Sequence, residues 1–249
     1  MPRILLISLA AVIAAACSVA AQEAGPPPDV RFDRVRMGKD SMQIYLVRGG
    51  QPLHVGMLWD SLQVAEHAGV PALRREYWTE NRAFGAEHAV YFYRLPHLSP
   101  LSIVDEGTSP EALRFTADSV VGWSTTRGRR MNVARVLAPG VYDGTVFDLM
   151  VRAGDLRDGY SVSVPAYISE MDSVVTLSAR VTGSERVEVE GGRMADAWVV
   201  QMDFAGLAST LWIDKRTRAL SRQTIELAPG TSMLMDRLPV RDPGQRDSR

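Results

Sequence analysis

Arg127-Gly128-Arg129-Arg130 sets three guanidinium groups at a glycine turn between two strand-like runs. That arrangement suits a phosphate or another anionic head group, and it equally suits a solvated turn. The four histidines, His54, His67, His88 and His97, include no pair two or four residues apart, so no local metal-ligand pair exists and no metal is expected. Gly122-Trp123-Ser124-Thr125-Thr126 imitates a nucleophile elbow but carries Thr126 where the second glycine is needed. Neither lysine, Lys39 or Lys215, lies three residues after a serine. Carboxylates are numerous, as in Asp105-Glu106 and in Glu185, Glu188 and Glu190, and two of them meeting across strands would make a glycosidase-like pair. Glu188 and Glu190 share one strand face, the ordinary solvent side. No catalytic residue and no cofactor is therefore assigned. The best lead is apolar: Trp198, Met202, Phe204 and Trp212 are adaptable side chains fit to line a lipid-accepting cavity, although a filled core uses the same residues.

The compartment narrows the choice. Of the 249 residues 46% are apolar and 23% charged, the balance of a folded domain, and the net charge of −1 gives no field for nucleic acid. Residues 1–21 hold Arg3, the apolar run from Ile4 to Ala16 and a small-residue end, which reads as a secretory signal too short to span a membrane. Val19-Ala20-Ala21 before Gln22 suits ordinary cleavage and a periplasmic product. Ala14-Ala15-Ala16-Cys17 instead resembles a lipoprotein box, and by that route lipidated Cys17 would give membrane contact at the outer membrane. Residues 22–34, with Pro26-Pro27-Pro28, read as a tether, 35–240 as one β-rich domain and 241–249 as a disordered tail.

Within the domain, alternation dominates. Trp198, Val200, Met202 and Phe204 fall on one side of a strand, with Val199, Gln201 and Asp203 on the other. A dozen further strand-like runs lie between Met42 and Leu227, punctuated by glycine turns such as Gly49-Gly50 and Asp158-Gly159. Val146, Leu149, Met150 and Ala153 alone take helical spacing, with Asp143 to cap the start and Gly154 the end, which predicts one short amphipathic helix lying on the sheet. The fold class is mainly all-β: a large curved antiparallel sheet or open barrel with one short helix.

From Tyr142 through Arg157-Asp158-Gly159-Tyr160 to Thr210-Leu211-Trp212-Ile213-Asp214-Lys215 and Leu220-Ser221-Arg222-Gln223, the C-terminal half resembles a family of exported bacterial proteins of unknown function. That family is in turn similar to the outer-membrane lipoprotein carriers, whose curved sheet closes with helices around a greasy cavity. The resemblance implies a lipid or acyl-chain site, in a chain that is longer than those carriers and has one helix to serve as a lid. The expectation is a non-enzymatic envelope protein binding an apolar or lipid-like ligand. Two readings stand beside it: a scaffold with a filled core and an envelope protein partner, and a hydrolase with a polar cleft.

Overall fold

The computed structural model describes residues 30–237 apart from 84, 127, 190 and 191, so the expected signal segment, most of the tether and the tail lie outside the described residues. Strands occupy Gly38–Arg48 (β1), Gln51–His67 (β2), Val70–Asn81 (β3), Gly85–Arg94 (β4), Ser99–Asp105 (β5), Glu111–Phe115 (β6), Ser119–Thr126 (β7), Arg129–Val136 (β8), Tyr142–Asp143 (β9), Ser161–Ile168 (β10), Ser173–Val189 (β11), Arg193–Phe204 (β12), Leu207–Asp214 (β13), Leu220–Ala228 (β14) and Thr231–Arg237 (β15). Two-residue turns at Ala68-Gly69 and Ala205-Gly206, all four residues at positive φ, return the chain tightly enough to keep neighbouring strands in register. The strands form one sheet in the order β8-β7-β6-β5-β4-β3-β2-β1-β15-β14-β13-β12-β11-β10-β9, so the first and last strands pair at its centre. Neighbours run antiparallel except β9 and β10. The curved sheet with one short helix is thus as expected.

Register carries the alternation from strand to strand. Met42 stands opposite Leu58, Leu58 opposite Thr79, and Val200 opposite both Leu211 and Val181, so one continuous face collects the apolar side chains. The sheet curls around that face until its two ends meet. No backbone ladder joins β8 to β9 among the described residues. Side chains bridge the gap instead: Arg135 of β8 pairs with Asp172, which also accepts from the Tyr167 hydroxyl at 3.0 Å, and Phe115 meets the Tyr167 ring edge-on.

The helix departs from expectation in its surroundings. Gly144–Val146 forms a 3₁₀ turn, capped by the Asp143 carboxylate on the Thr145 amide, and leads into α1, Phe147–Ala153. Every residue of α1 except Asp148 is buried, because the helix sits inside the curl and not on an outer surface. Its last carbonyl, Ala153, accepts from the Arg31 amide and from Arg34 Nη1. Val30 and Val35 join the core beside it, so ordered structure begins within the stretch expected to be tether. Strand β15 has no counterpart in the sequence reading, since Met233 and Met235 offer no β-branched run to mark it.

One guanidinium fixes the helix in place. Arg75 of β3 donates from Nε and Nη2 to Asp60 of β2, each at 2.9 Å, and from Nη1 to Asp148 of α1 at 2.8 Å and to the Thr145 carbonyl at 2.9 Å. Nη2 reaches the second Asp148 oxygen at 3.3 Å, which engages all five of its N–H groups. Replacing Arg75 with Met would strand two partly buried carboxylates. Chemical denaturation should show a loss of about 3–5 kcal/mol, whereas the exposed Arg135→Ala change should leave the midpoint nearly unmoved.

Candidate functional site

Between α1 and the curled sheet lies a cavity of about 470 Å³. Its wall is apolar where β1, β2 and β12–β15 face inward. Met42, Leu58, Met202, Phe204, Ile225, Met233 and Met235 line it, with Phe147 from the helix. Four methionines give that wall side chains able to adapt to differing shapes. Gly144 is closely packed there: a Cβ on it would lie 2.5 Å from Ile168 Cδ1 and 2.8 Å from Phe204 Cζ, so those side-chain ends would have to shift.

One end of the cavity holds paired charge. Besides Arg75 with Asp60 and Asp148, Arg152 sits one helical turn beyond Asp148, its Nη1 3.8 Å from that carboxylate and its Nε donating to the Arg218 carbonyl at 3.0 Å. Arg152 is 2% exposed and its Nη2 has no partner among the described residues. Burial lowers its pKa, with Asp148 and Asp60 acting against the shift.

The opposite end gathers Glu87 of β4, Asp105 of β5, Glu111 of β6 and Glu170 from the turn after β10. Strand register explains the meeting. Asp105 and Glu111 are direct cross-strand partners, and Asp105 also faces Ala89, two residues from Glu87. Like charges placed so are unfavourable. Desolvation, opposed by a Ser169 hydrogen bond and reinforced by Glu170, Asp105 and Asp143, pushes Glu111 up to about 7. Burial first, then Asp105 and Glu170, raises Glu87; burial likewise raises Asp105. Asp143, buried beside this end, is pushed up to about 6 by desolvation against its hydrogen bonds from Thr145.

The residues singled out from sequence divide. Met202 and Phe204 reach the cavity. Trp198 shares their face but packs farther along the core, with Lys215 Nζ 3.8 Å from its ring centre. Trp212 stands opposite Val199 on the other face, where its indole N–H donates to Glu185 at 2.8 Å. Arg129 and Arg130 are successive strand residues whose side chains leave opposite faces, and Arg130 lies over Trp123; Arg127 is outside the described residues. Ser124 is buried in β7, with no turn to present it. Gly122 matters for packing, since a Cβ there would meet the Ala112 carbonyl at 2.0 Å. His88 lies between Glu76 and Glu106 on the outer face, beside the exposed pair Trp59 and Trp78, and no group of three His, Cys, Asp or Glu side chains among the described residues is placed to hold a metal ion. Asp105 was visible in the sequence as a carboxylate. Glu87, Glu111, Arg75 and Asp148 were not singled out, although Glu87 has the parity of Ala89, Tyr91 and Tyr93, a charge on an apolar face.

A family model described as "Protein of unknown function (DUF3108)" matches residues 96–235, from the approach to β5 into β15. The crystal structure of a beta-barrel-like protein of domain of unknown function DUF1849 from Brucella abortus aligns with 82% of this chain and 98% of its own at 10% identity, with a TM-score of 0.52, a likeness of fold. A putative outer membrane lipoprotein-sorting protein domain from Vibrio parahaemolyticus aligns with 86% of this chain and 90% of its own at 12% identity. Its TM-score is 0.22. No curated protein matches.

Because Glu111 binds its proton more tightly in the fold than in the unfolded chain, its contribution is fully present below about pH 4.5 and is lost as pH rises through about 7. Glu111→Gln should match the parent in thermal unfolding near pH 4.5 and exceed it above pH 7, by up to about 3 kcal/mol. Melting curves of both proteins across that range check the divergence.

Proposed function

The chain belongs to the DUF3108 family of proteins of unknown function, and on that premise we propose that it is an envelope protein that binds an apolar or lipid-like ligand in the hollow of its sheet. The observation that carries the reading is the methionine-rich wall of a cavity of about 470 Å³, a size within the usual range for small-molecule sites. A core built only for stability would close over such a space, because lining atoms without neighbours forfeit dispersion energy. Here Arg75 ties α1 to β2 and β3, and Met202, Phe204 and Met233 line open volume. The signal-like N-terminal segment, read from sequence, supports the envelope as its place. Met202 and Phe204 are the proposed contacts, and Trp198 and Trp212 are not.

Native mass spectrometry of the protein purified from a bacterial envelope, followed by organic extraction, should show an adduct of defined lipid mass. The neutral probe N-phenyl-1-naphthylamine should bind with enhanced fluorescence, and Phe204→Glu should weaken it about tenfold or more. A bare polypeptide mass together with no probe binding would sink the proposal.

A second reading draws on Glu111, whose carboxyl titrates near neutral pH beside Asp105 in the same cavity: a proton-transfer site of hydrolytic type. A panel of chromogenic esters and glycosides tests it. Turnover that disappears in Glu111→Gln supports the reading, and turnover that is absent or unchanged removes it.

A further inference from the structure

The cavity is electrically lopsided. At one end Arg75 commits all five N–H groups to Asp60, Asp148 and the Thr145 carbonyl, and Arg152 faces the same Asp148. Arg152 keeps Nη2 without a partner among the described residues and Arg75 acts on Asp143, but neither cation is among the leading groups that act on Glu87, Asp105 or Glu111. At the far end, the groups that act on Glu111 are Asp105 from β5, Ser169 and Glu170 from the turn after β10, and Asp143 from β9, each neutral or acidic. Those acting on Glu87 are Asp105 and Glu170. Asp105 has one basic neighbour among these, His88, which stands on the outer face and is held by Glu76. Asp143, on which Arg75 also acts, is 1% exposed and leaves Oδ2 with no hydrogen-bond partner among the described residues, next to Gly144 and Thr145, which line the cavity. Carboxylates removed from water without a counter-charge must take up protons or hold a cation. Apolar wall and acidic side chains therefore line one cavity.

We propose that the cavity selects amphiphiles whose polar end is a cation, an ammonium group seated among Glu87, Asp105, Glu111 and Glu170 with its hydrocarbon along Met202, Phe204 and the facing methionines. This rests on the reading of the cavity as an apolar-ligand site and adds the head group to it. When the cation is absent, protons take its place on the carboxylates, so binding releases protons and strengthens as pH rises.

Displacement of N-phenyl-1-naphthylamine from the full chain by decylammonium, decanol and decanoate separates the terms. At about pH 8 decylammonium should compete about tenfold or more better than either of the others, and its lead should shrink toward about pH 5 as the carboxylates protonate. In the Glu87→Gln, Glu111→Gln double variant the preference should vanish while decanol competes as before, which also reports that the fold and the apolar wall are intact. Decanoate matching or beating decylammonium, or a preference that survives in the double variant, overturns the inference and leaves the apolar site standing. Failure of all three ligands, decanol included, overturns the apolar site and the head-group assignment with it.

Discussion

The Arg75 guanidinium is the point on which the interior depends. It ties the second and third strands to the helix through two carboxylates and a backbone carbonyl, so α1 is held at one side of the curl. Desolvating three charges is costly, and the geometry repays that cost only because every donor is used. Such a network adds little net stability over a packed apolar cluster of the same volume. Its effect is positional: fork-shaped recognition of two carboxylates fixes the direction from which α1 meets β2 and β3, alongside the Tyr93–Thr145 and Arg152–Arg218 hydrogen bonds. The cavity lies beside the helix so seated.

The surrounding packing follows from that placement. Phe147, Leu149, Met150 and Val151 are almost wholly enclosed, and they reach both arms of the curl because the helix lies between them. Tyr93 reaches Thr145 by a hydrogen bond of 2.8 Å, which fastens the fourth strand to the turn before the helix. The turn also has its glycine at 144, beside Ile168 and Phe204, whose side-chain ends would have to shift to admit a Cβ. Positioning the polar end and shaping the apolar wall are thus two results of one seat.

Much of the fold was legible because alternation is a local signal. Trp198 to Phe204 reads as a strand with a dry side, and it is one, with Val200 and Met202 buried. The helix was legible from Val146, Leu149, Met150 and Ala153, yet its enclosure was not, since periodicity reports which residues share a face and says nothing of what covers the remaining faces. Register was also out of reach. Trp212 looked like a companion of Trp198, but pairing sets it opposite Val199 and turns it outward. The acidic end escaped for the same reason: Asp105 and Glu111 become neighbours only through a cross-strand pairing that no spacing along the chain announces. Glu87 did carry a local sign, a carboxylate in phase with Ala89, Tyr91 and Tyr93.

The strand order has a consequence for how the chain assembles. Each half of the sheet, β1 to β8 and β9 to β15, pairs strands in sequence, so its ladders close short loops and can grow by local zipping. Only the ladder between β1 and β15, with Met42 facing Arg237, unites residues from opposite ends of the described chain. Loop-closure entropy rises only logarithmically with length, but its cost falls here on a single central seam. Two meanders that form early and weld late would make that seam the rate-limiting junction, and would render the loop between β8 and β9, which joins the two edges of the sheet, a natural place to open the chain in a circular permutation.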